Sequence, residues 1–414
     1  MSSSAFALRL ATEPVVVATI EQIARQGARR ALHRAIEQEV AEYVEAHKHH
    51  VDGSNHRLVV RNGHKPPRTI LSGVGPIEVV QPRVDDRRVD ENGVRFRFTS
   101  KILPRYLRKT RAIEELVPWL YLKGISSGEM PDALVHLGFD GSGLSATSVV
   151  RLLEAWRGEY ADWSRRDLSG RRYVYLWADG LYFGCRLSDD RPCLLVLMGA
   201  TADGRKELIA MVDGQRESET SWMSLLLDCR ARGMSEAPKL ATGDGALGFW
   251  LALGKVFPAT RQQRCWVHKT LNVLDKLPKS EQPAAKGMLH EIWMAATRAD
   301  ATRAFDRFVQ VYGAKWPRAA ACLEKDRSEL LAFYDFPAEH WQHLRTSNPI
   351  ESTFATVRLR TYRTKGPGSR EAGLAMAFKL ARKAESRWRK LNGSGKLQDL
   401  IDGVVFVDGE RIAA

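Results

Sequence analysis

Three acidic residues stand where a carboxylate can do chemistry: Asp179 in YLWADGLYFG, Asp244 in LATGDGALGFW and Glu351 in SNPIESTF. Asp179 ends the strand-like run YVYLWA and precedes Gly180, and Asp244 ends another such run between Gly243 and Gly245. A carboxylate at a strand end, between small residues, leaves room for a metal ion or phosphate to approach. Asp-Gly is also a common turn dipeptide, so each aspartate alone has an ordinary explanation. Glu351 has one too. Asn348 is placed to cap a helix, Pro349 suits its first position, and Glu351 falls at the reciprocal capping position. Jointly, the three carboxylates are what a two-ion phosphoryl-transfer site needs. Hard cations take oxygen ligands, and two of them can clamp the attacking and leaving oxygens of an in-line displacement at phosphorus.

Cys265-x-x-His268 adds two soft ligands after the second aspartate, and His340-x-x-His343 offers two more before Glu351. The spacing inside each pair suits zinc, but a long stretch of chain separates His268 from His340. The favoured reading packs Cys265 into the core and turns His268 toward the phosphate site, leaving zinc as the lesser alternative. Trp250, Trp266, Trp293, Trp316 and Trp341 crowd the same part of the chain. One could stack on an unpaired base, though core packing is the expectation for most of them.

The chain of 414 residues carries a formal charge of +14 with a pI near 9.6. That balance favours a polyanionic partner, nucleic acid first. Between Glu351 and Lys390 lie eleven Lys or Arg and three Glu, so more than half of the excess sits in one stretch. Arg358, Arg360, Arg363, Lys365, Arg382 and Lys383 belong to it and are candidates for phosphate contacts. Five scattered cysteines without a Cys-x-x-Cys pair argue against a disulfide framework. The N-terminus makes a poor signal peptide, and no apolar run approaches the length of a membrane-spanning helix. A cytoplasmic location, nucleoid-associated in a bacterium, and no membrane partner are the expectations.

Those residues must be positioned by elements that the pattern outlines. Ile20, Ile23, Ala28, Leu32, Ile36, Val40 and Tyr43 recur at helical spacing. A strand-rich patch follows, with Asn62-Gly63 and Gly73/Gly75 read as turns, and then a polar loop over 84–100. From Pro104 the chain turns helical. Ser126 and Glu129 have the spacing of a capping box, Gly138 stops that helix, and Ser145 is placed to cap another through Val149, Leu152, Leu153 and Trp156. Helix, glycine turn and helix outline a helix-turn-helix that leaves Thr147, Ser148 and Arg151 free to face a DNA groove, although any helical hairpin gives the same pattern. From residue 172 the texture becomes α/β. YVYLWA, CLLVLMGAT and ELIAMVD form a meander, ETSWMSLLLDCRARGM a helix, PKLATGDGA a strand, ALGFWLALGKVF a helix and RQQRCWV a strand. Residues 269 to about 340 read as helical.

YLWADGLYFG, LATGDGALGFW with RQQRCWVHKTLN, and SNPIESTFATVRLRT resemble the three signature blocks of the Mutator-type bacterial transposases, the family named after insertion sequence 256. RNGHKPPRTI, GPIEVVQPRV and YLKGISSGEM resemble its upstream landmarks, so the likeness runs from about residue 30 to 390. The resemblance implies a D-D-E transposase that binds element ends, cleaves strands and transfers the freed 3′-OH. It implies an RNase H-like α/β core with Asp179, Asp244 and Glu351 as ligands of two Mg²⁺ or Mn²⁺ ions, and with Cys265 and His268 as a signature pair.

The organisation expected is an N-terminal helix with a small strand-rich region (1–100), a helix-turn-helix domain (101–165), and the first part of the core (170–280). A helical insertion (281–344) would follow, then the last part of the core with the basic helix (345–395) and a tail (396–414). The chain between Asp244 and Glu351 is long enough to leave room for the insertion. DNA, as terminal inverted repeats and target, and a second copy of the chain are the expected partners. The rival readings are a nuclease on the same core and a transposase-derived DNA-binding regulator without catalysis.

Overall fold

The computed structural model describes residues 19–110, isolated positions between 113 and 135, and residues 146–182, 193–214, 216–245, 247–363 and 369–412. It forms two compact units, Met1–Val149 and Val150–Ala414.

In the first unit, helix α1 (Ile20–Ala46) opens on a capping box between Thr19 and Gln22. The expected apolar stripe is buried only in its later part. Ile36 and Val40 are buried, and Ile36 packs with Ile70, Ile77, Val79 and Leu103, whereas Ile20 and Ile23 are exposed. Strands β1 (Val59–His64) and β4 (Pro82–Asp86) pair antiparallel, as do β2 (Arg68–Ser72) and β3 (Gly75–Val79). Gly73 lies in the tight β2–β3 connection, as expected. Asn62-Gly63 is not a turn between strands. It lies within β1, where the positive φ of Gly63 accompanies a break in register. The left-handed backbone there makes a bulge instead.

Most of the expected helix-turn-helix, including Ser126, Met130, Gly138 and Ser145, lies outside the described residues. Its last helix corresponds to α2 (Ala146–Ser164).

The second unit is built on a five-stranded sheet in the order β7-β6-β5-β8-β9. β5 (Tyr173–Tyr182), β6 (Cys193–Thr201) and β7 (Lys206–Gly214) form the expected antiparallel meander, while β8 (Leu240–Gly243) and β9 (Arg261–Arg264) run parallel to β5. β5 and β6 are buried almost throughout, as strands covered on both faces must be. Side chains alternate between those faces. Leu176 and Ala178 join Leu195, Trp222, Leu226 and Phe249 in the core beneath α3 (Glu219–Ala231) and α4 (Leu247–Val256). Tyr175, Trp177 and Asp179 point to the other face.

β9 is shorter than the run RQQRCWV predicts. Cys265 stands at the cap of α5 (Trp266–Leu274), and Trp266 is held in the core by donating its ring N–H to Leu330 O at 2.8 Å. Helices α6 (Gln282–Met294), α7 (Arg298–Gly313) and α8 (Pro317–Glu324) follow, and short helical turns carry the chain to Leu344. Then come α9 (Asn348–Arg363) and α10 (Arg370–Glu385), which packs against β7. Among the described residues no helix is long and apolar enough to cross a membrane.

Candidate active site at the strand ends

Strand register brings the first two acids together. Ala178 pairs with Gly243 across β5 and β8, and Gly243 pairs with Arg264 across β8 and β9. Asp179, Asp244 and Cys265 are each the next residue, so they stand in a row across three parallel neighbours; Asp244 and Cys265 follow the last residues of β8 and β9, whereas Asp179 is not the strand end expected but lies inside β5, paired with Val196 of β6. Gly243 packs closely there: a Cβ would lie 3.2 Å from the Trp250 ring and 3.4 Å from Ala178 O, so a larger residue would press on the ring. The Asp244 carbonyl accepts from Trp250 Nε1 at 2.9 Å and from Arg264 Nη1 at 2.6 Å, which fixes the backbone under its carboxylate.

The third acid arrives because the chain before it is fastened along the same sheet face. Tyr175 Oη meets His340 Nδ1 at 2.7 Å, Trp177 Nε1 donates to His343 O at 2.9 Å, and Thr242 Oγ1 donates to Leu344 O at 2.9 Å. Trp266 N–H donates to Arg345 O at 2.9 Å, and Ser347 N–H donates to Cys265 Sγ at 3.3 Å. Together the ties lead the chain along the sheet face to the cap of α5, so α9 packs against β5. Its start differs from the expectation. Asn348 is already helical, Ser347 takes the cap position, and the Ser347 hydroxyl donates to Glu351 Oε1 at 2.7 Å. The Glu351 carboxylate is thereby held by a side chain rather than by the Asn348 backbone.

Burial pushes the Asp179 carboxyl up to about 7, helped by the charges of Asp244 and Glu351 and opposed by His268 and the Gly180 N–H. Asp179 Oδ1 accepts from Gly180 N–H at 2.9 Å, while the buried Oδ2 has no hydrogen-bond partner. His268, on the first turn of α5, rises to about 9 because of its bond to Cys265, against desolvation, with further help from Cys265, Glu351 and Asp179. Its Nδ1 lies 3.7 Å from Glu351 Oε1.

Cys265, His268 and Glu351 bring their ligand atoms within 4.8 Å of one another. His340 and His343, the other half of the four-ligand zinc alternative, are engaged elsewhere. His340 uses both ring nitrogens, on Tyr175 and on Gly393 O at 3.0 Å, and His343 Nε2 accepts from Asn392 N–H at 3.4 Å.

A fourth carboxylate escaped the sequence reading. Glu217, just before the Ser218 cap of α3, is pushed up to about 7 by burial and by Asp244 and Asp179, with His268 and Tyr182 opposing. Nothing in QRESET separates it from Glu219; only the tertiary fold does.

The candidate DNA-contact residues are less concentrated. Thr147, Ser148 and the exposed Arg151 stand on α2, and Arg358, also exposed, on α9 with Arg360 and Arg363. Lys365 lies outside the described residues. Arg382 and Lys383 are in the last turn of α10, where Arg382 is paired with Glu385. The basic run is therefore divided. α10 buries Ala375, Ala377, Phe378 and Ala381, and two of its cations pair with acids elsewhere, Arg370 with Asp213 and Lys379 with Glu159. Core packing holds for Trp250 and Trp266, which are buried, while Trp293, Trp316 and Trp341 are partly buried.

The chain matches the family described as "Transposase, Mutator family" over residues 2–390. It is 52% identical over 300 residues to the transposase for insertion sequence element IS6120 of Mycolicibacterium smegmatis, covering 72% of this chain and 93% of that one. It is 53% identical over 288 residues to the transposase for IST2 of Acidithiobacillus ferrooxidans, covering 68% and 95%. The transposase for IS256 in transposon Tn4001 of Staphylococcus aureus is 26% identical over 78% of this chain and 80% of its own. The chain belongs to the Mutator family of transposases and is a DNA-cleaving and strand-transferring enzyme.

Proposed function

We propose that this transposase binds the terminal repeats of a bacterial insertion sequence and carries out cleavage and 3′-OH transfer at Asp179, Asp244 and Glu351, with two Mg²⁺ or Mn²⁺ ions. The observation that carries the reading is the in-register pairing of Ala178 with Gly243, which sets Asp179 beside Asp244 where α9 delivers Glu351. The donor set fits the ions. Three carboxylates offer only hard oxygen atoms, and the buried, unpartnered Asp179 Oδ2 is an acceptor in want of a cation.

When bound, such a pair of ions supplies Lewis acidity to the attacking and leaving oxygens at phosphorus. The chain's own residues do the holding. Asp179 is fixed by its strand and the Gly180 N–H, Asp244 by two bonds to its carbonyl, and Glu351 by the Ser347 hydroxyl. His268 offsets part of the negative charge before the ions arrive.

A sheet whose first three strands form an antiparallel meander, with two later strands parallel to the first, supports an RNase H-like core. The helices between Gln282 and Leu344 would be its insertion, and the region before about residue 165 would recognise the element ends, with the helix-turn-helix as its reading unit. Joining two ends in one event calls for a dimer or larger assembly, working in the bacterial cytoplasm on nucleoid DNA.

The test is Asp179→Asn and Asp244→Asn, each assayed for end binding and strand transfer on one preparation. Binding kept with transfer lost is the expected result. Transfer surviving either change overturns the proposal, and nicking by the unaltered chain without joined products would make it a nuclease instead.

A further inference from the structure

We propose that Glu217 is a fourth carboxylate of this metal site, reaching it from the α3 side of the sheet through the hollow above Gly180. The inference rests on the reading of Asp179, Asp244 and Glu351 as ion ligands.

Two glycines make room for this side chain and its backbone. A Cβ built on Gly180 would fall 2.7 Å from Glu217 Cγ and closer still to its Cδ and Oε1, so the carboxylate lies directly over the residue after Asp179. A Cβ on Gly248 would fall 2.6 Å from Glu217 O, Ser218 C and Glu219 N. Helix α4 therefore packs against the backbone of residues 217–219 at a distance that only glycine allows, and this holds Glu217 at the strand ends. The Glu217 N–H also donates to the Tyr182 hydroxyl at 3.4 Å.

Among the described residues no lysine or arginine is paired with Glu217, yet it is partly buried beside Asp179 and Asp244. Asp179 is 6% exposed, and its Oδ2 has no partner. Desolvated carboxylates near one another are costly unless a positive charge joins them, and His268 opposes the rise of both Asp179 and Glu217.

The test is an electron paramagnetic resonance titration of Mn²⁺ into the full chain, with calorimetry as a second measure of stoichiometry. Glu217→Gln is compared with Asp179→Asn and with Glu219→Gln, a control at the start of α3 where Glu219 pairs with Lys255. We expect Glu217→Gln to weaken Mn²⁺ binding about 10- to 100-fold. Glu219→Gln should bind as the unaltered chain does, and Asp179→Asn should lose tight binding. Unchanged Mn²⁺ affinity in folded Glu217→Gln overturns the proposal and leaves Glu217 as a packing residue. Tight binding in Asp179→Asn overturns the underlying assignment instead. Should Glu217→Gln fail to fold, Glu217→Asp is read the same way: its shorter carboxylate must weaken Mn²⁺ binding, and unchanged affinity sinks the idea.

Discussion

Ser347 holds Glu351: its hydroxyl donates to Glu351 Oε1 at 2.7 Å from the cap position of the same helix. The hydroxyl also lies 3.2 Å from Cys265 Sγ and 3.4 Å from His268 Nδ1. It has one proton, and the carboxylate is the strongest acceptor of the three. The Cys265–His268 pair thus acts on Glu351 through Ser347 and through the nearby His268 ring.

Ser347→Ala should therefore lower strand transfer about 10- to 100-fold, as losing a partner that orients a metal ligand commonly does. End binding should not change. Transfer at the unaltered rate would show that the α9 backbone alone positions Glu351.

Gly248→Ala places a methyl group 2.6 Å from three backbone atoms of residues 217–219. Backbone cannot swing aside as a flexible side chain can, so α3 and α4 must separate. The expected cost is about 1–3 kcal/mol, the range for overpacking a filled interior. Chemical denaturation of the two proteins measures it, and equal midpoints with equal slopes would refute the close approach.

Asp326 carries a buried charge network behind Asp244. Lys269 Nζ is bonded to Asp326 Oδ2 and, at 2.9 Å, to Cys322 O, and Arg264 Nη2 lies 3.4 Å from the same carboxylate oxygen. Asp326→Asn leaves two buried cations uncompensated and should destabilise by about 3–5 kcal/mol. Because Arg264 also holds the Asp244 carbonyl, transfer should fall in whatever folded fraction remains. Thermal melting near that of the unaltered protein would contradict this account.

Stability should depend on pH in a direction that divalent ions reverse. Asp179 and Glu217 stand at about 7 in the folded chain, against 3.8 and 4.5 for the free groups. Between about pH 4 and 7 the folded form thus holds protons that the unfolded form has released, so metal-free stability falls as pH rises through that window. His268, raised from 6.5 to about 9, acts in the same sense over the higher range, full below 6.5 and lost toward 9. Mg²⁺ should then raise the melting temperature more at about pH 8 than at about pH 5, because it binds the deprotonated carboxylates. Melting curves in chelator and in Mg²⁺ at both pH values check this; an equal gain at both would count against the site.

Much of this protein is determined by its sequence alone. Continuous apolar runs such as YVYLWA and CLLVLMGAT mark β5 and β6, Asp244 between two glycines marks the end of β8, and the three blocks resemble the Mutator transposases. These signals are local, carried by neighbours within a few residues. What only the tertiary structure decided depends on contacts between distant segments. The register of Ala178 with Gly243 is fixed by pairing between strands far apart in the chain. Ser347 displaced Asn348 as the cap of α9 because Cys265, a residue of another element, holds the Ser347 backbone. His340 and His343 keep zinc-like spacing but are spent on Tyr175, Gly393 and Asn392, partners no short motif reveals. Glu217 was invisible for the same reason. Its distinction from Glu219 lies in the missing side chains of Gly180 and Gly248, which come near it only when the sheet and both helices have packed.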